Sequence, residues 1–279
     1  MSLPVPATLS PSKVASFKDC ALAFRFSAID RLPEPPSPWA AKGTLVHRAL
    51  ELLFWEVPAG RRTPEAALEA LDQAWAECQV DPEYTALELG VEDAEAFRAD
   101  AETLVRGYFR LEDPNRVRVI GTELLLEARL GSLRLRGIID RLELDDDGEL
   151  VITDYKTGRA PGERYEQGKL GGVQFYAFLC EQVLGRRPAR VQLLHLREPV
   201  AIVSTPTEQS LRALRTRAAA VWSAVELACS RDDFRPKPGP LCNFCAFKAY
   251  CPAFGGEPAL ASTGLVEPRE VPVPVPLAV

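Results

Sequence analysis

The sequence predicts an α/β protein, and three observations carry that expectation. Hydrophobic spacing is helical up to about residue 111, then changes to strand-like runs between 116 and 156. Helix-start signals, a small hydroxyl residue followed by proline, mark the first part of the chain. A tight acidic turn, DDDG, separates two of the apolar runs and reads as a hairpin.

The elements follow in order. Ser10-Pro11 gives an N-cap and a first helical position, and a short helix runs from there towards Cys20. RLPEPPSP, residues 31–38, is a rigid connector. TLVHRALELLFWE, residues 44–56, has apolar residues at helical spacing with His47 near its start. Thr63 caps a helix opened by Pro64, and a further helix fills 92–111. Strands are expected at 116–130, 132–145 and 149–156, the last two joined by LDDDGEL. Residues 171–184 read as helix, 189–197 and 200–205 as strands, and 207–230 as a long helix. RDDFRPKPGP, 231–240, is irregular. The Pro/Val-rich tail, 257–279, is expected to be extended and disordered.

With 279 residues, 47% of them hydrophobic, the chain can bury a substantial core in one large domain or two small ones. Its net charge of −6 excludes nucleic-acid binding by bulk charge but leaves room for a local basic groove. No apolar run is long enough to span a membrane. MSLPVPATLS lacks the basic and apolar regions of a secretory signal, so a cytoplasmic location is expected. No phosphate-binding loop of the G-x-x-x-x-G-K-[ST] kind is found, which excludes a motor domain. Seven cysteines, an odd number in a reducing compartment, argue against a disulfide framework.

Charged residues in the predicted core strands point to chemistry. Asp154 and Lys156 lie two apart and so share a strand face, and Asp140 lies on the neighbouring strand of the hairpin. Two carboxylates and an ammonium are costly to bury unpaired, and a divalent cation resolves the cost. Mg²⁺ takes hard oxygen ligands, which Asp140, Asp154 and the Tyr155 carbonyl can supply. Lys156 can then stabilise developing charge or help deprotonate a metal-bound water, a set suited to hydrolysing a phosphodiester. From the hairpin alone, a surface ion pair contributing about 0–1 kcal/mol is equally compatible.

The motifs GIIDR…ITDYKTG resemble the second and third motifs of the PD-(D/E)XK nuclease superfamily in its RecB-like branch. Asp140 matches the first acid and Asp154-x-Lys156 the (D/E)-x-K element. GTLVHRALE is similar to that branch's helical motif, with His47 as an additional metal ligand. The resemblance implies a restriction-endonuclease-like mixed central sheet flanked by helices, with a helical insertion and a C-terminal cysteine cluster. It covers residues 8–256 as a single nuclease domain, the helical part at about 38–111 and the nuclease core at about 112–230. It further implies a Mg²⁺- or Mn²⁺-dependent deoxyribonuclease, exonucleolytic, acting on single-stranded DNA or DNA ends in repair or recombination. A helicase or repair partner, but no membrane, belongs to that reading. Glu123, Gln174, Tyr176 and Arg141 are candidate substrate-positioning residues. Other candidate phosphate contacts are Lys169, Arg186, Arg187, Arg190, Arg212, Arg215 and Arg217, with Arg25 and Phe26 lining a path for single-stranded DNA. One departure stands out. The branch has Gln four residues before Tyr, but four before Tyr176 is Gly172, and Gln174 is rotated from Tyr176 by about 200° on a helix.

Cys242, Cys245 and Cys251 have the spacing C-x₂-C-x₅-C, and Cys20 is the candidate fourth ligand. Four thiolates suit an iron–sulfur cluster or Zn²⁺. The arrangement resembles the [4Fe–4S] staple of AddB-type and CRISPR spacer-acquisition nucleases, which favours iron–sulfur. A non-catalytic iron–sulfur DNA-binding subunit of a helicase–nuclease complex and a CRISPR-linked role in spacer acquisition are the alternatives.

Overall fold

Two helices begin where the sequence proposes, and a third begins earlier by the same device. In the computed structural model, which describes residues 2–263 without the side chains of 163–171 and 262–263, α1 (Pro11–Asp19), α3 (Pro38–Glu56) and α4 (Pro64–Cys78) each carry proline in the first turn. Ser10, Ser37 and Thr63 each accept a hydrogen bond from the amide three residues on, at 3.3, 3.3 and 3.2 Å. Helix α3 therefore starts at Pro38 rather than 44, and Ser37 ends the proline-rich connector. The short α2 (Ala21–Phe24) and α5 (Pro82–Thr85) and the long α6 (Val91–Tyr108) complete the first part of the chain.

The strands are β1 (Arg118–Leu130), β2 (Leu133–Leu144), β3 (Leu150–Lys156), β4 (Arg190–His195) and β5 (Val200–Ser204). They form one sheet in the order β1-β2-β3-β4-β5. Pairing is antiparallel for β2–β3 and β4–β5 and parallel for β3–β4, so the sheet is mixed. Parallel pairing requires a crossover, supplied by α7 (Glu163–Leu184); α8 (Glu208–Arg231) follows β5. This is the mixed α/β architecture the sequence predicts. The hairpin between β2 and β3 closes on Asp145, whose Oδ1 accepts from the amides of Asp147 and Glu149, while Gly148 takes the positive φ of 77°.

The chain, expected from sequence to form a single domain over 8–256, divides into two compact units. One comprises Pro36–Arg129 and Leu135–Arg215. In its core, Leu45, Val46, Ala49, Leu50 and Leu53 of α3 pack with Leu71 and Ala74 of α4, Leu104 and Val105 of α6, and Tyr155 of β3. Burial of such aliphatic side chains, about 1.5–3 kcal/mol each, fixes α3 against the sheet. The other unit comprises the chain up to Pro35, Leu130–Arg134 and the chain from Thr216. Leu22, Phe24 and Phe26 meet Val225, Phe234, Phe247 and Tyr250 there, with the Phe26 ring 5.5 Å from Phe247 and 6.0 Å from Tyr250. The tail expected to be disordered from 257 opens with a 3-10 turn, Pro258–Thr263, because buried Ala261 anchors it; residues 264–279 lie outside the described residues. Among the described residues, no helix is long and apolar enough to cross a membrane.

Candidate metal centre and active site

Strand register assembles the site. Arg141 stands opposite Thr153 and Leu142 opposite Ile152, and one step further along this antiparallel pair sets Asp140 opposite Asp154. Alternation then places Asp140, Asp154 and Lys156 on one face and Arg141, Glu143, Thr153 and Tyr155 on the other. On the first face, Lys156 forms an ion pair with the buried Asp154 carboxylate. Asp140 Oδ2 accepts a 2.7 Å hydrogen bond from the Tyr155 amide.

Two further elements converge on Asp140. His47, on α3, sets Nε2 3.1 Å from the Tyr155 carbonyl oxygen and Nδ1 3.6 Å from Asp140 Oδ2. Glu123, on β1, has a left-handed backbone with φ 46°. That conformation costs a non-glycine residue on the order of 1–3 kcal/mol and clusters at functional sites. Ligand atoms of His47, Glu123 and Asp140 all lie within 4.8 Å of one another.

Electrostatics show what this cluster lacks. Burial first, then the neighbouring Asp140, Glu51 and Asp154 carboxylates, push Glu123 up to about 7. Burial and then Asp154 push Asp140 up to about 6, with His47, the Tyr155 amide and Lys156 pulling the other way. Burial first, then the Asp154, Asp140 and Glu123 carboxylates raise the Tyr176 hydroxyl, so this phenol senses the cluster from α7. Its ring comes close because β2 carries no side chain at Gly137, where a Cβ would lie 2.9 Å from Leu179 Cδ1 and 3.0 Å from Tyr176 Cε1. Crowded carboxylates that resist ionisation, beside an imidazole, fit a hard divalent cation, which would repay their desolvation.

Two expected substrate contacts are corrected. Arg141 is wholly buried on the opposite sheet face, bound to Glu143 and Glu112, and cannot meet a phosphate at the surface. Gln174 donates to Ser204 Oγ at 3.0 Å and accepts from Ser210 Oγ at 2.7 Å, so its amide ties α7 to β5 and the start of α8. Arg25 and Phe26, expected to line a path for DNA, are otherwise engaged, since Phe26 is core and Arg25 pairs with Asp30 and Asp232. Arg186, Arg187, Arg190, Arg212 and Arg215 form ion pairs with nearby acids, and the Lys169 side chain lies outside the described residues. Glu123, read from sequence as a positioning residue, sits among the ligand atoms themselves. The sequence shows an acid there but not the left-handed turn that aims it.

The second unit holds the cysteines. Burial raises the Cys245 and Cys251 thiols, and Cys20 and Cys242 push both further; Cys20, Cys245 and Cys251 pack against the same hydrophobic cluster. The Gly239 amide donates to Cys242 Sγ at 3.4 Å.

A sequence model of the PD-(D/E)XK nuclease superfamily matches residues 8–252. The chain belongs to this superfamily. Among the relatives of this nuclease are two phage proteins, each called Gene 69 protein, from Mycobacterium phages D29 and L5. Each is 25% identical over an alignment covering 88% of this chain and 96% of the relative. A solved structure from Eubacterium rectale, described as a "Putative exonuclease", shares the fold with a TM-score of 0.51 at 14% identity, covering 86% of this nuclease and 87% of that chain.

Proposed function

We propose that this nuclease hydrolyses DNA phosphodiesters with a Mg²⁺ or Mn²⁺ ion held by His47, Glu123 and Asp140, and that Asp154 and the Tyr155 carbonyl complete the ligand set. The observation that carries the reading is the convergence of the three ligating side chains within 4.8 Å, beside the Asp154–Lys156 pair. When bound, such an ion lowers the pKa of a water and neutralises charge on the phosphoryl group. The protein's own residues do the rest. Asp140 and Glu123 fix the ion's position. Asp154 holds the Lys156 ammonium at the metal centre, where it stabilises negative charge on the phosphoryl oxygens or assists deprotonation of the attacking water. The Tyr176 ring packs on Gly137 and narrows access for bulk water.

Single-stranded DNA or DNA ends, attacked exonucleolytically in repair or recombination alongside a helicase or repair partner, follow from the RecB-like motifs around His47, Asp140, Asp154 and Lys156. We assign a [4Fe–4S] cluster to Cys20, Cys242, Cys245 and Cys251. The packing of Cys20, Cys245 and Cys251 on one hydrophobic cluster, with Cys20 and Cys242 both acting on the Cys245 and Cys251 thiols, and the Gly239 amide donated to Cys242 Sγ support it.

The test is cleavage of end-labelled single-stranded DNA with Mg²⁺ or Mn²⁺, comparing anaerobically purified wild type with Asp154→Ala. Metal-dependent cutting by the wild type, reduced at least about 10³-fold in the variant, is expected. Folded wild type that cuts neither DNA strands nor ends under these conditions would sink the catalytic reading. Brown protein with about four irons per chain is expected for the cluster, whereas colourless protein with one zinc would replace iron–sulfur with Zn²⁺.

A further inference from the structure

On the sheet face opposite the acids lies a buried ionic node. Arg141, 0% exposed, is bound to Glu143 through Nε. Its Nη1 lies 2.5 Å from Glu112, 2.8 Å from the Tyr155 hydroxyl and 3.3 Å from the Tyr108 hydroxyl, and its Nη2 lies 3.1 Å from Thr153 Oγ1. Its guanidinium also stacks 4.6 Å from the Phe54 ring centre. Gln192 closes the outer edge with a 2.8 Å hydrogen bond to Thr153.

Stability does not explain this choice of residues. Breaking a buried ion pair is costly, yet replacing the whole network with apolar side chains of similar volume is often neutral or favourable. What a guanidinium supplies is a rigid planar fork that fixes the directions of its partners. The partner that matters here is Tyr155. Its side chain ends in the node, but its peptide group lies in the metal centre. The Tyr155 amide donates to Asp140 at 2.7 Å, and its carbonyl oxygen faces His47 Nε2 at 3.1 Å. One residue thus touches both faces of the sheet.

We propose that Arg141 is a positioning residue of the metal centre: by holding the Tyr155 hydroxyl it fixes the Tyr155 peptide, and through that peptide the approach of Asp140 and His47 to the ion. The inference rests on the metal-centre reading above. Arg141 acts without touching metal or substrate. Freed from the fork, the Tyr155 ring can shift, the peptide plane turns with it, and the Asp140 carboxylate loses its fixed donor.

The experiment titrates Mn²⁺ alone into the apo protein without DNA, following the free-ion signal by electron paramagnetic resonance. Wild type, Tyr155→Phe, Arg141→Lys and Gln192→Met are compared, with melting temperatures recorded for each. Tyr155→Phe deletes only the hydroxyl, Arg141→Lys keeps charge but not the fork, and Gln192→Met loosens the node's outer edge. Binding about tenfold weaker is expected for the first two, with the third within about twofold of wild type even where its melting temperature falls as far. Wild-type Mn²⁺ affinity in either folded variant overturns the proposal, as does equal weakening in all three variants in step with stability. Wild type that binds no Mn²⁺ refutes the metal centre itself, a different outcome.

Discussion

The two faces of the β2–β3 hairpin carry charge in opposite ways. On the face of Arg141, every charge has a counter-charge or hydroxyl within hydrogen-bonding reach: Arg141 answers Glu143 and Glu112, and Thr153 and Tyr155 take its remaining donors. On the face of Asp140, three acids gather around one imidazole and one ammonium, and two of them are pushed towards neutrality. One face is balanced as folded, and the other leaves carboxylates that resist ionisation, the setting a cation would relieve. Buried charge left over in a strand therefore points to a ligand, whereas buried charge that is answered acts, if at all, through the residues it holds.

That contrast can be broken most forcefully at Arg141. Arg141→Ala leaves Glu143 and Glu112 without their partner and should cost about 3–5 kcal/mol of unfolding free energy, read from urea denaturation. A loss below about 1 kcal/mol would mean that the node is not answering its charges. The opposite face should respond with the opposite sign. Asp140→Asn should end cleavage yet stabilise the apo protein by on the order of 1 kcal/mol at pH 8. Asp140 is raised in the folded state to about 6 from an ordinary 3.8, so its ionisation opposes folding. The gain from the amide should accordingly be absent below about pH 4 and fully present above about pH 6, as thermal melts across that range would reveal. An apo Asp140→Asn protein less stable than wild type at pH 8 would contradict the crowding. The subtlest expected effect is on metal affinity. Protons on Asp140 (about 6) and Glu123 (about 7) must leave before both can ligate, so Mn²⁺ should bind progressively tighter from pH 5 to 7.5 and level off above. Affinity that stays flat across that interval would remove both carboxylates from the ligand set.

Much of this architecture was legible because it is local. Caps followed by proline announced the helices at Ser10 and Thr63, and the change of period announced β1, β2 and β3. Asp140, Asp154 and Lys156 could be placed on a common face from alternation alone. What remained hidden depends on tertiary partners. Helix α7 begins at Glu163, earlier than expected, because the glycines of GKLGG dilute its apolar period. Arg141 read as a substrate-positioning residue because a strand pattern names two faces without saying what covers each; the signal available was Glu143, two residues on, sharing its side of the strand. Gln174 looked like a displaced motif residue, and only Ser204 and Ser210, brought beside it by the sheet and α8, reveal its use. Glu123 owes its place to a positive φ that no residue type in its neighbourhood announces.

Gly137 has a consequence of a different kind. A glycine within a strand normally signals a turn, a bulge or lost rigidity. Here it sets a dimension: with no methyl on β2, the Tyr176 ring rests on bare backbone three residues from Asp140. The approach of α7 to β2 at this point is therefore set by the absence of one carbon atom. Alanine at this position would act as a wedge, lifting the Tyr176 ring or displacing Leu179, and the acids that this ring faces would be the first to feel it.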